Sequence, residues 1–551
     1  MGRVARSEWR WVAGFTALVL ALSLLPYALA YSAQGSAWRF SGFLLGVEDG
    51  NSYIAKMRLG SDGAWLYRLA YTTEPQSGAL IFLPYLLLGK LAARPALHEQ
   101  LVALFHLVRL AASIALVTAT YRFLARFVES VALRRWGLVL AVLGGGLGWF
   151  ALALGRGSGP MPLEYYSPES FGFLSLFALP HLAAARALLL IALLWFLDGE
   201  SGADLRGGWK AALALVALWF FQPLNVLLAW GLMALAWAIT LARRFVRWRT
   251  HARPSSGAAV SDWSPDRWRR GGVNLAQAVL PSAPFVIYSA ITFSTNPALR
   301  QWTAQNIITS PTVVEYLLGY GLILPFALIG MVHAWRANET GMYLLVAWLI
   351  AMPVLVSLPV NLQRRLAEGV WVAGAALAMM AFASWERRSP RMAGLAAALL
   401  TALALPSTAL LYAGSVRAAL QPAAPVFIPA AEARAFEWLD QNASAGSIVL
   451  ANFATGNAMP AYAGVIPYIG HGPETLYIAI KRPQVKNFFS ASATVGERFW
   501  LLESSRANYV MLGPDDPLSH SAIPLPGILG IVMRYEDEGW RVLEYAPEPS
   551  S

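Results

Sequence analysis

The stretch Val47-Glu-Asp-Gly-Asn-Ser-Tyr53 places two adjacent carboxylates, Glu48 and Asp49, ahead of a helix-forming segment and shortly after the first long apolar run. General-base catalysis needs a carboxylate within hydrogen-bond reach of an acceptor hydroxyl, and this pair would set one acid at a membrane surface with its neighbour turned to the backbone. The competing reading is an Asp that caps a helix beginning near Ser52, a position where Asp and Asn are preferred. Arg364 and Arg365 follow Pro359 on the side that a membrane protein keeps poor in arginine. A guanidinium forks two hydrogen bonds onto a phosphate, so this pair suits a lipid phosphate, and it equally suits ordinary anionic headgroups. Arg109 and Arg186 sit inside apolar runs, where an ionisable group costs about 2.5–3.5 kcal/mol; they mark function, a buried pair, or snorkelling to an interface. His181, after Pro180, would contact substrate or cap a helix, and His471 in Gly470-His-Gly-Pro-Glu474 reads as a loop histidine. Asn442-Ala-Ser444 fits a glycosylation sequon of a kind common by chance. No Walker loop and no Ser-His-Asp arrangement supports ATP-driven transport or serine hydrolysis.

The elements that must hold these residues are written in the composition. Of 551 residues, 57% are hydrophobic and 13% charged, with no cysteine. A soluble domain carries about 25% charged residues, so the chain reads as a polytopic membrane protein. Zero Cys removes disulfide scaffolds, thiolate zinc sites and cysteine nucleophiles. The formal charge of +11 would point to nucleic acid in a soluble protein, but it is unevenly placed. From Arg417 onward nine Lys and Arg face thirteen Asp and Glu, a net of −4, so the part before carries +15. That surplus lies in short loops between apolar runs, as the positive-inside rule expects, and nucleic acid is not an expected partner.

Arg3, Arg6 and Arg10 precede the run Trp11–Tyr31, which at about 20 residues is long enough to cross the hydrocarbon core. It reads as a retained first helix with a cytoplasmic N-terminus. Leu80–Ala93 is short and broken by Pro84, Gly89 and Lys90, which suits an interfacial segment; if it crossed, Arg122, Arg126, Arg134 and Arg135 would be stranded outside. Residues 32–100 are therefore expected to form one external loop. Further spans are expected at Leu101–Tyr121, Gly137–Gly155, His181–Leu197, Trp209–Phe221, Leu224–Ala242, Asn274–Phe293, Val313–Ala334, Met342–Val360, Glu368–Ser384 and Ala393–Ser415. With the first helix this makes about eleven transmembrane helices, and an odd number puts the C-terminus outside. Residues 243–273, with His251–Gly272 rich in Ser, Gly, Pro and Arg, read as a cytoplasmic linker within the transmembrane domain, 1–415.

After Ser415 the composition changes. Glu432–Leu439 has helical periodicity, Ser447–Leu450 and Tyr509–Leu512 look like short buried strands, and Gly and Pro punctuate the rest. Residues 416–551 are enough for one small extracytoplasmic α/β domain.

The order of motifs resembles the C-type (GT-C) membrane glycosyltransferases, a group that includes protein O-mannosyltransferases and the aminoarabinose transferase of lipid A. The likeness runs through a short basic N-terminus and one helix, then an external acid motif with Tyr53 four residues beyond Asp49. It continues in Glu74-Pro75 opening a half-helix to Leu91, Arg109-Leu110, Gly144-Gly-Gly-Leu-Gly-Trp149, Pro168-Glu169, Pro180-His181, Gln305-Asn306 with Ser310-Pro311, Gly319-Tyr-Gly321 and Gln363-Arg-Arg365. These are similar to an uncharacterised bacterial branch of that superfamily. The resemblance implies a transferase of the cytoplasmic membrane that takes a hexose or pentose from a polyprenyl-phosphate carrier at the outer face and passes it to a glycan, lipid or protein acceptor. Asp49 matches the base, with Glu48 beside it where relatives often show Asp-Glu or Asp-Asp. Tyr53, Glu74, Glu164, Glu169, His181, Arg364 and Arg365 are the candidate substrate-binding residues. Some relatives hold a divalent metal, Mg or Mn, on external acids, and here these would be Asp49 with Glu164 or Glu169; other relatives need none.

Two other functions fit a membrane protein of this size. A secondary transporter or flippase would place charged sites near midmembrane in paired, broken helices, whereas the acids here gather in external loops. A non-catalytic envelope assembly factor would use the C-terminal domain as a binding module.

Overall fold

A computed structural model describes residues 4–155, 161–250, 265–337, 339–520, 525 and 530–546. Residues 251–264 of the expected linker lie outside the described residues. The chain forms two compact units, one of residues Met1–Ser23, Val108–Ala290 and Ile308–Gly414, the other of Leu24–Leu107, Ile291–Ile307 and Ser415–Ser551.

Among the described residues, six helices are long and apolar enough to cross a membrane: α1 (Arg6–Ala33), a second at Leu97–Phe127, and others at Pro180–Ser201, Pro223–Arg249, Gln363–Glu386 and Pro390–Leu420. Two bent pairs, Trp268–Val279 with Ala283–Thr295 and Val313–Tyr320 with Leu324–Ala337, raise the number to eight if each is one span. The runs expected to cross near Gly137, Trp209 and Met342 form shorter helices, Val131–Leu143, Gly207–Phe221 and Tyr343–Leu355. The first of these stops where Gly144-Gly-Gly146 begins. Proline begins several of the long helices, where its missing N–H costs nothing. On Pro390–Leu420 the buried residues Ala393, Ala397, Leu400 and Ala404 alternate with exposed Leu395, Leu399 and Leu403, so a face made mostly of alanine packs on protein while three leucines face outward, in keeping with small residues at helix contacts in lipid.

In the second unit, α2 (Val47–Ser61) packs on the seven-residue α3 (Leu83–Gly89). The two backbones touch: a Cβ on Gly60 would sit 2.0 Å from Leu86 O, and one on Gly89 would sit 1.7 Å from Met57 O. At 1.5 Å per residue α3 is about 10 Å long, too short to cross a core of about 30 Å. Strand β1 (Trp38–Phe40) pairs antiparallel with β2 (Phe427–Pro429). The residues after Ser415 build a mixed five-stranded sheet from β3 (Ile448–Leu450), β4 (Ile466–Pro467), β5 (Tyr509–Leu512), β6 (Ile531–Asp537) and β7 (Trp540–Tyr545), in the order β4-β3-β5-β7-β6. β3 is parallel to both β4 and β5, while β7 runs antiparallel to β5 and β6. Helix Ala430–Asn442 covers one face through Phe436 and Leu439, and Phe488, Leu501 and Leu502 fill the other.

Candidate active site

Gly46, at φ 60°, turns the chain left-handed into α2 and makes no side-chain cap. The helix therefore starts at Val47, and Asp49 lies in its first turn beside Glu48 and not at a cap near Ser52. Negative charge is favoured there by the unpaired N–H groups of the helix start. The two acids meet different surroundings. Glu48 Oε1 accepts the N–H of Gly472 at 2.8 Å, and its carbonyl accepts from Asn457 Nδ2 at 3.2 Å. Asp49 is 60% exposed, and its Oδ1 lies 3.5 Å from Nε2 of His471, whose ring is buried.

The groups that hold this corner come from loops that follow the carboxyl ends of parallel strands. The chain leaves β3 into helix Phe453–Tyr462, which carries Asn457, and leaves β4 into the turn Gly470–Glu474. Open α/β sheets place ligand sites at this edge. The turn approaches the helix backbone so closely that a Cβ on Gly470 would sit 2.3 Å from Gly456 O. Thr475 Oγ1 accepts from the N–H groups of Gly470 and His471. Gln305 donates to Pro473 O at 2.8 Å and Thr475 O at 2.6 Å.

Beneath the turn Glu474 is fully enclosed. Its Oε1 meets Lys56 Nζ at 2.5 Å and accepts from Ser52 Oγ at 2.8 Å, and its Oε2 accepts from Tyr67 Oη at 2.8 Å. Burial pushes the Glu474 carboxyl up, but the Lys56 ammonium and the hydrogen bonds donated by Lys56 and Ser52 together hold it below the usual carboxylate range. Burial pushes the Tyr67 and Tyr71 phenols far up, so both remain neutral donors. Tyr71 donates to Asn457 O at 2.9 Å, and Asn51 donates to Asn457 Oδ1 at 2.8 Å.

Two other expected site residues in this unit are engaged with side chains. Tyr53 stacks on Tyr85 at 5.0 Å between ring centroids. Glu74 is paired with Lys481, whose Nζ lies 2.7 Å from Oε1; burial lowers the Lys481 ammonium and Glu74 opposes that shift.

In the first unit, Glu169 is buried with Arg364 Nε and Arg365 Nε each 3.7 Å from its carboxylate. Both Nε atoms are buried without a hydrogen-bond acceptor. Arg364 also lies over the Tyr166 ring at 4.9 Å. Ser310 N–H donates to Gln363 Oε1 at 2.9 Å, and Gly369 N–H donates to Glu169 O at 3.0 Å, so the arginine turn is tied at both ends. Arg186 is a buried pair: its Nε meets Glu368 Oε1 at 2.5 Å, and its Nη2 reaches the carbonyls of both Pro168 and Glu169. Glu164 Oε1 accepts from Gly148 N–H at 2.6 Å and Ser407 Oγ at 2.9 Å. Its Oε2 is buried without a partner, in the lining of a cavity of about 10 Å³, and burial pushes this carboxyl up. His181 is in the first turn of Pro180–Ser201.

A metal held by external acids needs several ligands in one place. Among the described residues no group of three or more His, Asp or Glu could hold one, so the acids present do not by themselves make a metal site.

Several solved structures share this architecture. The chain aligns over 99% of its length with the mycobacterial arabinofuranosyltransferase AftD, at TM-score 0.54 and 17% identity, covering 42% of that chain. The apo oligosaccharyltransferase of Archaeoglobus fulgidus gives TM-score 0.51 and 14% identity, over 90% of this chain and 70% of that one. ArnT from Cupriavidus metallidurans, in its apo state, gives 0.50 and 13%, over 98% of this chain and 99% of that one. The chain has the GT-C fold. No protein-family model matches it, and no curated protein matches it in sequence.

Within the GT-C fold, the residues that sequence reasoning passed over are His471, Glu474 and Lys56. Lys56 gave no signal, since a lysine on a short amphipathic helix reads as a solvated one. The available clue was Gly470-His-Gly-Pro-Glu474 itself, where glycines on both sides of a histidine allow a tight backbone turn to aim a ring.

Proposed function

We propose that this protein is a membrane glycosyltransferase that moves a sugar from a polyprenyl-phosphate carrier to an acceptor hydroxyl at the outer face of the cytoplasmic membrane. The observation that carries this reading is the different setting of two neighbouring acids: Glu48 accepts a backbone N–H, while the Asp49 carboxylate is 60% exposed and faces the buried ring of His471. The likeness to transferases with the GT-C fold supports it. Asp49 accepts the proton of the acceptor hydroxyl as that oxygen bonds to the anomeric carbon. The bond from the anomeric carbon to the carrier phosphate breaks, and its electron pair leaves with the phosphate. In this reading Arg364 and Arg365 bind the carrier phosphate, because two guanidiniums against one carboxylate, Glu169, leave a net positive charge suited to charge-assisted bonds with a phosphate. In this reading Tyr53, Glu74, Glu164, Glu169 and His181 contribute to substrate binding.

The test is to incubate the purified full chain in lipid nanodiscs with radiolabelled polyprenyl-phosphate mannose and polyprenyl-phosphate arabinose, one hexose and one pentose donor. Release or transfer of label from either donor supports the reading. Intact donor in both cases, with the folded protein present, contradicts it.

A further inference from the structure

His471 is a buried histidine with an unusual set of neighbours. Its Nδ1 accepts the N–H of Glu474 at 3.3 Å, which fixes the proton of the neutral ring on Nε2. That Nε2 is buried and has no hydrogen-bond partner, yet it lies 3.5 Å from Oδ1 of the exposed Asp49. A buried N–H left unsatisfied is costly, and a ring kept only for packing would not aim one at a solvent-facing carboxylate. The ring is held from every side. Tyr71 packs against it at 5.3 Å, Thr475 ties its backbone N–H, and Glu474 is anchored on Lys56, Ser52 and Tyr67. The other charged group at this corner, Glu48, is turned to Gly472. The donor that Asp49 faces is thus supplied by the C-terminal segment and locked in orientation by a buried ion pair.

We propose that His471 is a positioning residue for Asp49: its Nε2–H closes onto Oδ1 and so turns Oδ2 toward the acceptor hydroxyl. The proton moves from the acceptor oxygen to Oδ2, and the imidazole neither gains nor loses one. This rests on the reading of Asp49 as the base, and it gives the C-terminal α/β segment a part in the reaction.

Three variants of the full chain separate the possibilities, assayed with radiolabelled polyprenyl-phosphate mannose and polyprenyl-phosphate arabinose. His471→Phe keeps a ring of similar size and removes the N–H, His471→Gln returns an amide N–H near the place of Nε2, and Asp49→Asn removes the base. A misdirected base of this kind loses about 10- to 100-fold in kcat. That loss is expected in His471→Phe with KM for the carrier unchanged, and His471→Gln is expected to recover most of it. Wild-type kcat in His471→Phe, alongside an inactive Asp49→Asn, overturns the positioning role and leaves the base assignment standing. Equal losses in the Phe and Gln variants with a raised carrier KM overturn it too, since that pattern marks a structural residue. Wild-type kcat in Asp49→Asn removes the base assignment itself.

Discussion

Replacing Lys56 should invert the way the unit containing Glu474 responds to acid. Lys56 Nζ and Glu474 Oε1 are 2.5 Å apart with both side chains buried. Deleting one partner of such a pair costs about 3–5 kcal/mol, because the remaining charge stays in a low-dielectric site. Lys56→Met removes the cation at similar length, so a loss of about that size is expected at neutral pH. In the wild type, Glu474 is held below its ordinary value. Its contribution to stability is therefore full above the usual carboxylate range and fades as pH falls through the folded value. Without Lys56, burial is unopposed by that cation and the carboxyl moves up. Its contribution is then lost as pH rises, and the variant should gain stability relative to wild type on acidification. Glu474→Gln on the Lys56→Met background keeps one acceptor oxygen for Ser52 or Tyr67, turns an amide N–H to the other hydroxyl oxygen, and leaves no buried charge, so it should recover part of the loss. The assay is unfolding of the detergent-solubilised full chain, followed by amide hydrogen exchange in α2 and in residues 470–477 across the acid range. Additive effects in the double variant, or parallel pH profiles for wild type and Lys56→Met, would refute the reasoning.

Gly470→Ala should reduce both stability and turnover, since its Cβ would lie 2.3 Å from a backbone oxygen and the turn carrying His471 must move; thermal unfolding and donor turnover measured together check this. Arg365→Ala should weaken binding of undecaprenyl phosphate by about 10-fold or more, the size of one charge-assisted hydrogen bond, while changing turnover at saturation less; a binding isotherm in nanodiscs reads it. Reporter fusions after Ser389 and after Gln421, at the two ends of helix Pro390–Leu420, should report opposite sides of the membrane, with the later one outside; both on one side would overturn the topology.

The long spans were legible because an apolar run of about 20 residues has few other uses. The count of eleven was not, because runs such as Gly137–Gly155 mix a short helix with Gly144-Gly-Gly146, and hydropathy does not distinguish a helix from a tightly packed glycine turn. Helix Ala430–Asn442 and strands β3 and β5 fall where the periodicity of Glu432–Leu439, Ser447–Leu450 and Tyr509–Leu512 put them. Of the site, Glu48 and Asp49 were visible as adjacent acids, but which of them keeps a solvent-facing carboxylate depends on Gly472, over 400 residues away in the chain. The same holds for Lys56 and Glu474. Pairings at such separation leave no local pattern, and without them His471 looked like any loop histidine. Arg186 was recognisable as a buried-pair candidate from its apolar setting, and Glu368 is its partner.

The most direct test of the account compares Asp49→Asn with Arg365→Ala in two measurements, undecaprenyl phosphate affinity and turnover of the radiolabelled donor. A base acts on the acceptor in the transition state, whereas a phosphate clamp acts on the carrier already in the ground state. The account predicts a crossed result: Asp49→Asn binds the carrier as wild type does and loses turnover, while Arg365→Ala loses carrier affinity first. Wild-type turnover in a correctly inserted Asp49→Asn protein would contradict it and leave Glu48, Glu164 and Glu169 as the acids to examine.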